Sequence, residues 1–166
     1  MASDLAPVDL SFFASAPHRT VRDVQIAAPP EKVFDALARD PAGWGQWFPG
    51  FSRSGRYLTA QPHGVGSERE MRLGGTRLVE TVLVWEEPSR WAFRVSSAAM
   101  PGVRAMAEDY RITPKDGGSL LTWTVALSGA GPMTFAVGAV GAVAGALVAR
   151  AARNLERRLQ AAAGTD

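Results

Sequence analysis

The 166-residue sequence has no cysteine, and that absence alone removes disulfide scaffolds, thiolate metal sites and cysteine nucleophiles from consideration. A reducing compartment fits. Histidine is almost as scarce: only His18 and His63 occur, too few for a histidine-based metal site, and neither has a triad partner in view. No metal and no cofactor is expected. A charge excess is also missing, because 18 Lys and Arg against 16 Asp and Glu leave a net charge of +2. Nucleic-acid binding needs a basic face or tail that this balance does not supply. There is no Gly-x-Ser-x-Gly elbow, and Gly64-Val65-Gly66 lacks the third glycine of a dinucleotide loop. Residues 1–18 contain Asp4 and Asp9 and lack the regions of a secretory signal, so the cytoplasm is the expected compartment.

What remains is an ordinary globular composition, 46% hydrophobic and 20% charged, in a length suited to one domain with its own core. Residues 1–18 read as a flexible arm in which Phe12-Phe13 offer a local docking point. A single domain then spans 19–162, and 163–166 form a tail. Val21, Val24 and Ile26 mark a first strand over 20–27, stopped by Pro29-Pro30. Proline at a first turn followed by Glu31, then Val33, Phe34, Leu37 and Ala38 at helical spacing, predicts a short helix that Asp40-Pro41 ends. A second short helical turn carries Trp44 and Trp47 on one face, with Phe48 beside them.

Between Phe51 and Leu127 the pattern changes to alternation broken by turn residues. Strands are expected near 51–60, 66–73, 77–86, 90–98, 103–113 and 119–128, separated by Pro62-His63-Gly64, Gly74-Gly75, Glu87-Pro88-Ser89, Pro101-Gly102 and Asp116-Gly117-Gly118. With the first strand they make seven. After Gly131-Pro132 the period becomes helical from about 133 to 162, long enough to lie across a curved sheet. Val137, Val140, Ala144, Leu147, Ala151, Leu155 and Leu159 form one stripe, and Gly138, Gly141 and Gly145 a second, very small one. Residues 133–149 carry no charge, but nine of these 17 are Ala or Gly. So poor an apolar run makes a membrane span an unfavoured reading.

Strand, two short helices, six antiparallel strands and a long C-terminal helix is an order that resembles the helix-grip fold of the START-like or SRPBCC superfamily. The local text agrees with it. Ala28-Pro29-Pro30-Glu31-Lys32-Val33-Phe34-Asp35-Ala36-Leu37 is similar to the superfamily's approach to its first helix, and Trp44 to Pro49 to its tryptophan-and-proline turn. Trp85-Glu86-Glu87-Pro88-Ser89-Arg90-Trp91-Ala92-Phe93 resembles its mid-sheet hairpin, and Ser119-Leu120-Leu121-Thr122-Trp123 its penultimate-strand opening. The resemblance covers about residues 19–161 and is closest to the bacterial members called polyketide cyclase/dehydrase-like. It implies an α+β fold, a seven-stranded curved antiparallel sheet wrapped around the long helix. It also implies a cavity between sheet and helix for apolar or amphipathic molecules, lipids included, and no shared catalytic set.

Alternation names the residues expected to face that cavity. They are Trp91, Phe93 and Val95 on one strand, Leu121, Trp123, Val125 and Leu127 on another, Leu78, Val82 and Val84 on a third, and Met106, Tyr110 and Ile112 on a fourth. Trp85 has the opposite parity, which would turn it outward as a patch for a homodimer. Glu80, Glu108 and Arg104 share the apolar parities. Either Glu108 pairs with Arg104 near the open end while Glu80 is solvated or at a bulge, or these groups contact ligand, or Glu80, Glu108 and Tyr110 move protons. The ligand-contact set is therefore Trp47, Phe48, Glu80, Val82, Phe93, Arg104, Met106, Glu108, Tyr110 and Trp123, with Phe135, Gly138 and Gly141 from the helix. His63 is expected in a solvated loop. Binding of a small hydrophobic or polycyclic ligand is the leading expectation. A cyclase, aromatase or dehydratase acting on a poly-ketone in the same cavity is the enzymatic alternative, and a protein-interaction module using the groove is the third.

Overall fold

Residues 3–129 and 134–163 are described by the computed structural model, the helical stretch 134–145 and Ala163 by their backbone only. Strand β1 (Ser3–Asp4) and the one-turn helix α1 (Phe12–Ser15) come first, followed by strand β2 (His18–Ile26). Helix α2 (Pro30–Phe34) runs on into a π-helical turn at Asp35–Arg39, and helix α3 (Trp44–Trp47) follows. Then come β3 (Arg56–Tyr57), β4 (Glu68–Leu73), β5 (Thr76–Glu86), β6 (Arg90–Ala98), β7 (Val103–Lys115) and β8 (Gly118–Gly129), and last the helix α4 (Thr134–Ala163). All pair antiparallel in one open sheet of order β2-β8-β7-β6-β5-β4-β3, with β1 added on β6.

Turn chemistry explains most of the division. Gly74 and Gly75 take φ of 55° and 83°, a left-handed pair that only glycine adopts freely and that closes the β4–β5 hairpin tightly. The expected strand over 51–60 is the exception, reduced to β3 and an isolated bridge from Phe51 to Leu73. Gly45 explains why: a Cβ there would meet the Ser52 backbone at 2.5 Å, so this segment is pressed against α3 rather than laid along β4.

The inner face of the sheet holds the main core. Trp44, Trp47, Trp91, Trp123, Tyr110, Phe34 and Phe93 are all fully buried there. Helix α4 packs against β2, β8 and α3 and contributes Val148, Ala151 and Leu155. Polar ties fix this half of the helix in place: Asn154 Nδ2 donates to Trp47 O at 2.9 Å, Arg158 meets Asp40 at 2.7 Å, and Glu156 accepts from the Ala27 amide at 3.0 Å.

The outer face carries a smaller cluster in which Phe13, with Val8, Phe12 and Ala16 around it, sits on Val84, Ala92, Ala107 and Ala126. Alanine at three of these positions leaves room for the ring. The arm thus docks through its phenylalanines, while Leu5 at its other end is buried in the main core. Covering one such leucine stabilises the fold by about 2 kcal/mol.

A bulge on β5 reverses parities expected from simple alternation. Val82 pairs with Phe93 but Val84 with Ala92, so Leu83 is an extra residue on β5. Beyond it the faces exchange, and Val84 joins the outer cluster. Trp85 turns inward against Phe34, with ring centroids 5.6 Å apart, so the outward patch expected of it is not formed. Among the described residues, no helix is long and apolar enough to cross a membrane.

Candidate functional site

Two buried polar groupings interrupt the apolar inner face. In the first, β4 and β5 place Arg69 directly opposite Glu80, and the Arg69 Nε donates to Glu80 Oε2 with both side chains essentially inaccessible. Arg69 Nη1 also donates to Leu37 O at 3.0 Å, a carbonyl that accepts Trp44 Nε1 at 2.9 Å as well. Aromatic rings complete its coat: the guanidinium carbon lies 4.3 Å from the Trp91 centroid, 4.7 Å from Trp44 and 5.1 Å from Phe93. Burial pushes the Glu80 carboxyl up, against the pull of the guanidinium. A charge pair so enclosed is a packing element, since removing either half would strand the other in a dry site.

The second grouping sits across the sheet, on β7 and β8. Glu108 on β7 accepts from the Tyr110 hydroxyl and, at 2.8 Å, from Trp123 Nε1, and both donors converge on Oε2. Burial raises the carboxyl to about 7, with the Tyr110 and Trp123 hydrogen bonds opposing the rise. At neutral pH it can therefore give or take a proton. Burial, and then the charge of Glu108, hold the Tyr110 hydroxyl well above its ordinary value, so it stays a donor.

Accessibility varies along the inner face. Trp91, Tyr110 and Leu121 are 0% exposed, whereas Glu108 keeps 9%, Val125 6% and Leu127 5%, and Met100, Val103 and Met106 are only partly buried. The face is sealed around Trp91 and Tyr110 and more thinly covered around Met100, Val103 and Met106, which is the thinly covered end.

Among the residues expected to form the site, Glu108, Tyr110, Trp123, Phe93, Val82 and Met106 do share the inner face, and Trp47 and Phe48 pack at its aromatic end. Glu80 is at a bulge, where Val79 pairs with Ser97 and Glu80 with Val95, but it is not solvated, and it pairs with Arg69 rather than with Glu108's donors. Arg104 does not join them. Val103 pairs with Gly129 and Ala105 with Ser128, which makes Arg104 an extra, exposed residue on β7, and no ion pair links it to Glu108 among the described residues. Phe135, Gly138 and Gly141 lie outside the described side chains.

Arg69 was not anticipated. Its parity with Met71 and Leu73 was the available signal, because an arginine on an apolar strand face calls for a buried carboxylate opposite. His63 is not free in solvent either: its ring stacks on Tyr57 at 3.9 Å, beside a cleft of about 310 Å3 lined also by Arg39, Gln61, Pro62, Trp85 and Glu87. Among the described residues, no group of three His, Cys, Asp or Glu comes together as a metal site requires.

Comparison with known proteins agrees with this architecture. A family model described as "Polyketide cyclase / dehydrase and lipid transport" matches residues 17–161. An uncharacterised protein of Mycobacterium tuberculosis is 37% identical over 152 residues, which are 90% of this chain and 89% of that protein. Among solved structures, a START superfamily protein from Mycobacterium smegmatis superposes with a TM-score of 0.70 at 18% identity, covering 86% of this chain and 97% of that one. Ginseng major latex-like protein 151 from Panax ginseng gives 0.65 at 12% identity, covering 84% and 95%. At such identities the likeness concerns the fold.

Proposed function

Since the chain belongs to the polyketide cyclase/dehydrase and lipid transport family, whose fold is that of a hydrophobic-ligand-binding domain, we propose that it binds a small hydrophobic or polycyclic molecule between the sheet and α4. The ligand lies at the thinly covered end of the inner face, beside Met106, Val125 and Leu127, from which the first half of α4 sets out. Apolar burial drives binding, and Glu108 orients it. The observation that carries this reading is the placement of Glu108: a carboxyl residue set among rings on the inner face keeps 9% of its surface accessible, beside the partly buried Met106. Both of its donors occupy Oε2, so Oε1 is the oxygen left for a ligand hydroxyl or enol.

Titration with N-phenylnaphthylamine, whose fluorescence rises in apolar surroundings, tests the location. Val125 stands opposite Glu108 in the β7–β8 register, so Val125→Trp fills the space at the carboxyl and should weaken the probe by about ten-fold or more. Equal affinity in a folded Val125→Trp protein would contradict the site. Native mass spectrometry of freshly purified protein would then reveal which molecule it carries.

One observation favours a second reading, in which the same cavity runs cyclase or dehydratase chemistry on a poly-ketone. A carboxyl raised to about 7 beside a phenol is equipped to take a proton from carbon and return it to oxygen. Incubation with reactive poly-ketones separates the two: new products support catalysis, and recovery of unchanged bound ligand leaves binding as the function.

A further inference from the structure

Strands β6 and β7 are laddered only from Arg90–Arg94 against Ala107–Arg111; past that point they part, although β6 continues to Ala98 and β7 begins at Val103. The arm fills the split. Ser3 and Asp4 pair with Ala98 and Ser97, the Leu5 amide donates to Ser96 O at 2.9 Å, and the next amide, Ala6, donates to Arg104 O at 2.8 Å. Those two acceptors have something in common. Ser96 is the extra residue of the β6 bulge against β5, and Arg104 is the extra residue of the β7 bulge against β8. Each bulge takes one residue out of its ladder, and consecutive amides of the arm meet the two carbonyls. The bulges therefore shape a slot in the sheet that one short strand fits, and Leu5 passes its side chain through to the main core.

This slot opens at the thinly covered end of the inner face, where Met100, Val103 and Met106 are only partly buried. The strand that closes it is lightly held. Ser3 and Asp4 are exposed, Leu5 is the single buried side chain of the segment, and the next firm anchor is Phe13 on the outer face. A two-residue strand followed by a single buried side chain opens far more readily than the ladders of five or more pairs beside it. The arm also precedes residue 17, where the span shared with the family begins.

We propose that residues 3–6 are a gating strand: they leave the slot between β6 and β7 to admit ligand from the side of the sheet, and Leu5 on return becomes part of the cavity wall. The inference rests on the ligand-binding reading above and adds its route and its regulation. Phe13 keeps the arm tethered while the strand is out, so closing needs no search over the surface.

An engineered disulfide tests it. Asp4 and Ser97 are cross-strand partners in a non-hydrogen-bonded pair, the spacing at which a disulfide closes with little distortion, and the chain has no other cysteine. In the double variant Asp4→Cys, Ser97→Cys, oxidation should slow both association and dissociation of N-phenylnaphthylamine by about ten-fold or more with the Kd unchanged, and reduction should restore both rates. Equal rates in the oxidised and reduced forms would overturn the gate. Hydrogen exchange in the unaltered protein is the second arm: the Leu5 and Ala6 amides should exchange far faster than those of the β6–β7 ladder, and exchange as slow as the ladder's would also overturn it. Failure of the probe to bind the unaltered protein counts against the ligand reading alone, and the exchange arm then still decides whether the strand opens.

Discussion

Two parts of the inner face each hold one buried charged system, Arg69 with Glu80 on β4 and β5 and Glu108 with its donors on β7 and β8, yet they are built in opposite ways. At the aromatic end Arg69 and Glu80 neutralise each other, and Trp44, Trp91 and Phe93 close over the guanidinium until nothing is accessible. At the other end Glu108 has no cation in contact, is held by two neutral donors, and retains accessible surface among thinner side chains. One end is finished; the other keeps accessible surface. On the ligand-binding reading proposed above, stability and binding are separated across one sheet, β4 and β5 against β7 and β8, so substitutions in the two parts should have opposite signatures.

The largest effect is expected from breaking the finished end. Arg69→Ala leaves Glu80 buried and alone and should cost about 3 to 5 kcal/mol in denaturant unfolding. Replacing both partners, Arg69→Met with Glu80→Leu, should cost less than Arg69→Ala by itself; a larger loss in the double variant would mean that the pair is valued for more than its own neutrality. Packing sharpens the contrast next. Trp91→Ala should lose about 3 to 5 kcal/mol, against about 1 to 2 kcal/mol for Met106→Ala, and only the second should change N-phenylnaphthylamine affinity.

Glu108 gives a pH signature of intermediate size. Its carboxyl moves from an ordinary 4.5 when unfolded to about 7 when folded, so below about pH 4.5 it is neutral in both states and carries no penalty. As the pH rises through that window the folded state must bear a buried charge, and stability falls by roughly 3 kcal/mol by pH 8. Glu108→Gln keeps the two acceptor contacts without the charge and should flatten the curve, remaining more stable than the parent at pH 8 and equal to it at pH 4. The burial of Glu80 acts in the same direction in both proteins, and its charge also raises Glu108, so the difference between the two curves reports Glu108 together with its coupling to Glu80. A parallel pair of curves would refute the raised carboxyl. The smallest effect on binding is expected from Phe13→Ala on the outer face, which should cost about 2 kcal/mol in stability while leaving probe affinity within two-fold, because that ring stands on alanines away from the proposed site.

Much of this architecture is legible in the residues, and the illegible parts share a cause. Helix α4 is found within a residue of its expected limits because its period and the preceding Gly-Pro are local signals. Strands β4 to β8 likewise follow from the turn residues between them, and the inward parity of Trp91, Phe93, Trp123 and Leu127 follows from alternation. Bulges defeat alternation. One extra residue at Leu83 reverses Trp85, and one at Arg104 removes that arginine from the site, yet neither is marked by glycine or proline. Pairing of Arg69 with Glu80 depends on the register between two strands, and insertion of the arm depends on two bulges meeting across a split. Such facts exist only once distant strands have been brought together. The candidate acid of the site was still nameable in advance, because Glu108 is a lone carboxylate on an otherwise apolar strand face.

The most direct test uses the methionines as reporters, since Met100 and Met106 stand at the thinly covered end while Met71 is sealed beneath the segment that contains Gly55. With their methyl groups isotopically labelled, NMR titration with N-phenylnaphthylamine should shift the Met100 and Met106 signals in a saturable way and leave Met71 in place. Saturable probe binding that moves Met71 alone, or none of the three, would contradict a ligand site at this end of the sheet.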